Sequence, residues 1–175
     1  MSTFELTING TTVTAEPGET VLTAAERAGV GIPTLCHDPR LEPAAACRTC
    51  LVEVSGQRRL QPACAWKADA GMKVITESDR ITRHRQVLLS MYLADHELDD
   101  EGLPKESPNG NQLREMVQKE GHAFDLMPVH APRGDREDRN PYVGFDPDAC
   151  ILCARCTRYC DEVEAVSAIT LMNRG

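Results

Sequence analysis

Eight cysteines fall into two groups of four. Cys36, Cys47, Cys50 and Cys64 lie in the first third of the chain, Cys150, Cys153, Cys156 and Cys160 near the end, and none lies between. Residues 1–5 show neither the basic segment nor the apolar stretch of an export signal, and no apolar run approaches the roughly 20 residues needed to span a bilayer. The expected setting is therefore cytoplasmic, with no direct membrane insertion. In that reducing compartment clustered cysteines serve as metal ligands more often than as disulfide partners. Two metal sites are the simplest account. The net charge of −8 argues against a nucleic-acid surface. It suits a protein partner with a basic face.

The 175 residues suffice for one ordinary domain or two small ones. Phe4, Leu6 and Ile8 alternate as in a strand, and Asn9-Gly10 before Thr11-Thr12-Val13 signals a two-residue hairpin. After Pro17-Gly18, helical spacing of Val21, Leu22, Ala25 and Ala28 predicts a short helix ended by Gly29. Leu51–Val54 and Met72–Thr76 read as returning strands. The fold class is α+β, a β-grasp domain over residues 1–77. A helical connector is expected over 78–125. Its first helix is capped at Ser78-Asp79 and runs to about Ala94, with Ile81, Leu88, Leu89 and Tyr92 on its buried side; a second spans Asn111–Glu120. Asp99–Gly110 and Met127–Asp148 lack periodicity and read as surface connections, and another helix is expected over Thr157–Val166.

The first cysteine group has the spacing C-x10-C-x2-C-x13-C. Its C-x2-C pair lets two thiolates leave one turn, while Cys36 and Cys64 arrive from the loop after the helix and the segment before the last strand. A β-grasp sheet could bring the four around a two-iron cluster. Pro43-Ala44-Ala45-Ala46 would leave the backbone free to curl and donate N–H bonds to sulfur. A four-cysteine structural zinc site is the alternative; zinc modules usually pair two C-x2-C knuckles, and only one is present. A thioredoxin-like use of Cys47-Arg48-Thr49-Cys50 leaves Cys36 and Cys64 unexplained.

Gly31-Ile32-Pro33-Thr34-Leu35-Cys36-His37, Ala46-Cys47-Arg48-Thr49-Cys50-Leu51-Val52-Glu53-Val54 and Pro62-Ala63-Cys64 resemble a known iron–sulfur region. It is the N-terminal region shared by the alpha subunit of NAD-dependent formate dehydrogenase, the large iron–sulfur subunit of respiratory complex I and iron-only hydrogenases. The resemblance implies that Cys36, Cys47, Cys50 and Cys64 bind a [2Fe–2S] cluster. It also implies flavin/NAD-binding partner subunits and a molybdenum-, hydrogen- or quinone-reactive partner.

Cys150, Cys153, Cys156 and Cys160 follow the bacterial ferredoxin run C-x2-C-x2-C-x3-C, so residues 126–175 are expected to hold a partial [4Fe–4S] segment. In two-cluster ferredoxins the fourth cysteine of this run serves the other cluster, yet no second run follows. Truncation or splitting of a longer chain is the favoured explanation; a thiolate from a partner, or Cys160 folding back, are the others. Zinc is again the alternative metal.

Related subunits carry a one-His, three-Cys cluster between these regions in the pattern H-x3-C-x2-C-x5-C. Here His96 is followed by Asp100 and Leu103 at the first two cysteine positions, and Gln112 stands near the third. This site reads as degenerate, and His96 as a solvated residue near a helix end. His37 reads as a surface residue or a non-catalytic support of the first group, Trp66 as packing over its loop, and His84, His122 and His130 as solvated. The mixed charges of Arg133–Arg139 read as a solvated loop. No Ser/His/Asp set, P-loop or G-x-G-x-x-G appears, so no catalytic residue is expected. The chain reads as an electron-transfer component of an oxidoreductase complex; the rival reading is a zinc-stabilised interaction module.

Overall fold

Asn9 and Gly10 both have positive φ, 50° and 82°, the backbone that a two-residue turn between twisted strands demands. They join β1 (Phe4–Ile8) to β2 (Thr11–Ala15) in an antiparallel pair, Ile8 opposite Thr11. The Asn9 side chain then bonds twice to Thr76, at 2.7 and 2.9 Å, fastening the turn to the end of the last strand, which runs beside the first. The computed structural model describes residues 3–107, 110–126, 142, 144–146 and 149–171. It divides into one unit of residues 1–82 and 153–175 and another of residues 83–152.

In the first unit, β3 (Leu51–Val54), the two-residue β4 (Gln61–Pro62) and β5 (Lys73–Ile75) complete a five-stranded sheet of order β2-β1-β5-β3-β4. β1 and β5 run parallel, and the other pairs are antiparallel. The helix α1 (Val21–Arg27) is capped by the Thr20 hydroxyl, which accepts the Thr23 N–H at 3.1 Å. Leu6, Ile8, Val21, Leu22, Val52 and Val74 are sealed in the core between helix and sheet. Each contributes on the order of 1.5–3 kcal/mol by leaving water. This is the mixed α+β, ferredoxin-like architecture that the alternation and turn residues predict.

Two N–H groups at the start of α1 have no partner within the helix. They reach instead to the segment carrying the fourth cysteine: Val21 N–H donates to Trp66 O (2.8 Å) and Leu22 N–H to Ala63 O (3.0 Å). Helix formation and cysteine placement are thereby coupled. Trp66 packs, partly buried, against the core.

Helix α2 (Asp79–Ala94) begins where predicted, with Ser78 Oγ accepting the Ile81 N–H. Ile81 and Leu89 are fully buried, Leu88 and Tyr92 partly so, and Arg85 is buried as well. In the second unit Arg85 pairs with Glu120 at the end of α3 (Gln112–Glu120), whose cap is Asn111. The stretch 99–107 is organised by Arg114, which is 8% exposed. Its guanidinium pairs with Asp99, Glu101 and Glu106 and donates to Pro104 O at 3.0 Å. A segment without periodicity is thus ordered by one buried cation.

Three expectations need correction. Helix α4 spans Arg155–Glu162 rather than Thr157–Val166, so it takes in Cys156 as well as Cys160 and ends four residues earlier. Its start is hidden from sequence because Ala154 adopts a left-handed conformation without any side-chain cap. His96 is buried, 5% exposed, not solvated: the chain folds back after α2 and its Nδ1 lies 2.6 Å from Tyr92 O. His84, on α2, is half-buried rather than solvated. His122 is exposed as expected and contacts Asp125 at 2.9 Å. His130, the Arg133–Arg139 stretch and most of Met127–Asp148 lie outside the described residues.

Candidate functional site

Cys50 immediately precedes β3, and Cys64 follows β4 by two residues. The pairing of Leu51 with Pro62, with Ala63 N–H donating to Cys50 O at 3.1 Å, draws their sulfurs to 3.4 Å. Cys36 and Cys47 form a second pair: Cys47 N–H donates to Cys36 Sγ at 3.4 Å, and the two thiols hydrogen-bond to each other. All four cysteines are buried.

The hydrogen bond within each pair separates its two thiols in acidity. Donation to Cys47 raises the Cys36 thiol well above the ordinary range, burial adding to it, and holds Cys47 below that range. Cys50, donating to Cys64, is raised, and Cys64 is lowered. Within each pair one thiol is thereby the more readily ionised, and the thiolate is the form that ligates metal.

The loop between the pairs supplies N–H donors as the small residues suggested. Ala45 and Arg48 have φ of 50° and 59°, and successive left-handed turns aim amides inward. Amides of Ala46 and Cys47 face Cys36, those of Leu35 and Thr49 face Cys47, and that of Ala45 faces Cys64. One contributor lacks a sequence signal: Thr49, fully buried, places Oγ1 3.1 Å from Cys47 Sγ. His37 is half-buried, its Nδ1 without a hydrogen-bond partner among the described residues.

The two-plus-two grouping can be set against what each candidate metal needs. A zinc ion with Zn–S near 2.3 Å needs four thiolates around one point. Among the described residues, no three His, Cys, Asp or Glu side chains gather as a single-ion site. A two-iron cluster needs two thiolates at each iron, each iron completed by inorganic sulfide. Two buried, amide-lined cysteine pairs fit it.

In the second group, left-handed Leu152 and Ala154, φ 55° and 57°, bend the chain between successive cysteines. Cys150, half-buried, belongs to the second unit; Cys153, Cys156 and Cys160 belong to the first. Cys156 and Cys160 line an open cavity of about 460 Å³ with Arg40, Arg155 and Tyr159. Arg155 Nε approaches Cys153 Sγ at 3.4 Å, and Ala168 N–H donates to Cys160 Sγ at 3.2 Å.

Among the described residues the degenerate region shows no ligand set. His96 Nε2 is buried without a hydrogen-bond partner among the described residues, beside a cavity of about 40 Å³ lined also by Pro104, Asn111 and Asp146. Asp100 is exposed, and Asp99, its neighbour, is occupied by Arg114.

The sheet and paired cysteines define a ferredoxin-like iron–sulfur domain, and a family model described as "2Fe-2S iron-sulfur cluster binding domain" matches residues 2–79. An NADH-quinone oxidoreductase subunit from Rhizobium meliloti (strain 1021) is 39% identical over 175 residues, covering 98% of this chain and 20% of the relative. NADP-reducing hydrogenase subunit HndD of Solidesulfovibrio fructosivorans is 33% identical over 181 residues, covering 100% of this chain and 30% of the relative. The crystal structure of an NAD+-reducing [NiFe]-hydrogenase in the H2-reduced state superposes with a TM-score of 0.83 at 32% identity, over 98% of this chain and 71% of that one. The chain belongs to the family of iron–sulfur, electron-transfer subunits found in NADH/NADPH-type oxidoreductases and hydrogenases. It spans about a fifth of the length of the NADH-quinone oxidoreductase relative.

Proposed function

We propose that Cys36, Cys47, Cys50 and Cys64 hold a [2Fe–2S] cluster, and that Cys150, Cys153 and Cys156 give three ligands to a [4Fe–4S] cluster whose fourth lies elsewhere, Cys160 serving a further cluster. The two-by-two pairing of four buried sulfurs carries the reading. When bound, such a cluster supplies a one-electron carrier. The chain's own residues hold the thiolates, direct amides at them and exclude water.

The sequence resemblance and the relatives support a place inside a larger assembly. There the chain would link a flavin/NAD-binding subunit to a molybdenum-, hydrogen- or quinone-reactive partner. An assembly that oxidises formate is the narrower form of this reading; it is supported by the motifs around Cys36, Cys47–Cys50 and Cys64 rather than by the relatives named above. No helix among the described residues is long and apolar enough to cross a membrane, in keeping with a cytoplasmic or peripheral setting.

Iron and acid-labile sulfide counting on anaerobically purified protein tests the assignment. Cys156→Ser is expected to leave two irons and two sulfides per chain, with visible charge-transfer absorption. Stoichiometric zinc in a colourless protein contradicts it and favours the interaction-module reading.

A further inference from the structure

Helix α4 carries Cys156 and Cys160, and between them Arg158 reaches to the first cysteine loop. Its Nη2 donates to Cys36 O at 2.6 Å and its Nη1 to Glu42 O at 2.7 Å. One guanidinium therefore grips both ends of the segment that leads away from a cluster ligand. Glu162, one helical turn on, accepts the Glu42 N–H at 2.8 Å. Arg40, clamped by Asp38 at 2.7 Å, lies 4.8 Å from the centre of the Tyr159 ring. Positions 158, 159 and 162 form one face of α4, and each meets the 36–42 segment.

The polarity of these contacts is unequal. Arg158 is permanently charged, half-buried, and bonded to two neutral carbonyls. Among the described residues no carboxylate forms an ion pair with it, and Glu162 turns its Oε2 to a backbone amide instead. A cation in a partly desolvated place, bound to the main chain of a ligand residue, stabilises added negative charge nearby more than it would in water.

Resting on the [2Fe–2S] reading above, we infer that Arg158 is a redox-linked clasp: its charge favours the reduced state of the centre held by Cys36, and reduction in turn tightens the hold of α4 on the 36–42 segment. The reciprocity is required by linkage, because whatever factor docking contributes to reduction, reduction returns to docking. Arg158 is a positioning residue here, since it touches the ligand's carbonyl and not the sulfur. The electron comes from any external reductant, and one electron enters the centre with no bond made or broken.

The test uses the full chain, purified anaerobically, in three forms: wild type, Arg158→Gln and Arg158→Lys. Potentiometric titration followed by EPR reads the midpoint, and amide exchange of residues 155–162 with and without dithionite reads docking. Arg158→Gln is expected to lower the reduced-to-oxidised ratio at fixed potential about tenfold, the scale of one charge-assisted hydrogen bond, or about 59 mV for one electron. Arg158→Lys keeps the charge and loses the fork, so its midpoint stays near wild type while α4 exchanges faster. Reduction slows α4 exchange in wild type and not in Arg158→Gln. A wild-type midpoint in Arg158→Gln with its EPR signal intact, or equal α4 exchange in both redox states of the wild type, overturns the inference. Absence of any reduced [2Fe–2S] signal in the wild type instead overturns the cluster reading on which it rests.

Discussion

The sulfur of Cys50 lies 3.4 Å from that of Cys64 across 14 residues of sequence, brought there by the β3–β4 pairing that separates them. The pair is a product of the sheet, whereas Cys36 and Cys47 are joined by a loop curled through left-handed Ala45. The two halves of the site should therefore fail differently.

Ala45→Val puts a β-branched side chain at a φ of 50°, where even ordinary residues are strained by roughly 1–2 kcal/mol. Its amide faces Cys64. Cluster occupancy is expected to fall in Ala45→Val and to be kept or improved in Ala45→Gly, as iron content per chain will show. Equal iron in both variants would separate the loop's curl from cluster retention.

Thr49→Val removes the hydroxyl beside Cys47 Sγ and nearly preserves shape. A lost donor to a ligating sulfur destabilises the reduced, more negative form. The midpoint potential should move negative by an amount on the order of tens of millivolts, with thermal stability lowered only slightly. Thr49→Ser, which keeps the hydroxyl, should restore most of the potential.

The strands, the Asn9-Gly10 turn and the Ser78 cap were legible because each depends on neighbours a few residues away. The family resemblance, laid on the sequence, also exposed the erosion at Asp100 and Leu103. The same reasoning could not find Arg158, whose acceptor at Cys36 is 122 residues distant, nor the start of α4, where no capping side chain marks the left-handed Ala154. His96 reads as solvated from its place near a helix end, yet burial there is decided by the turn after α2 and by the loop that Arg114 gathers. Long-range partners, not local propensity, set these features.

Arg114 also gives a pH dependence. The guanidinium, together with the Leu103 and Glu101 amides, holds the Asp99 carboxyl below its usual range. A carboxyl depressed in the folded state stabilises fully above its unfolded value, about 3.9, and loses that contribution as pH falls through the folded value. Thermal unfolding followed between about pH 6 and pH 3 should show a steeper decline for wild type than for Asp99→Asn. Parallel curves would mean that the Arg114 network does not respond to protonation of Asp99.

The most direct measurement is the EPR spectrum of the dithionite-reduced full chain, taken alongside Cys50→Ala, Cys64→Ala and Cys156→Ser. The four-cysteine account predicts the half-integer-spin signal of a reduced [2Fe–2S] centre in wild type, its retention in Cys156→Ser, and its loss when either member of the Cys50 and Cys64 pair is removed. A reduced-[2Fe–2S] signal that survives both alanine substitutions, or a wild-type chain that is EPR-silent and holds stoichiometric zinc, would contradict it.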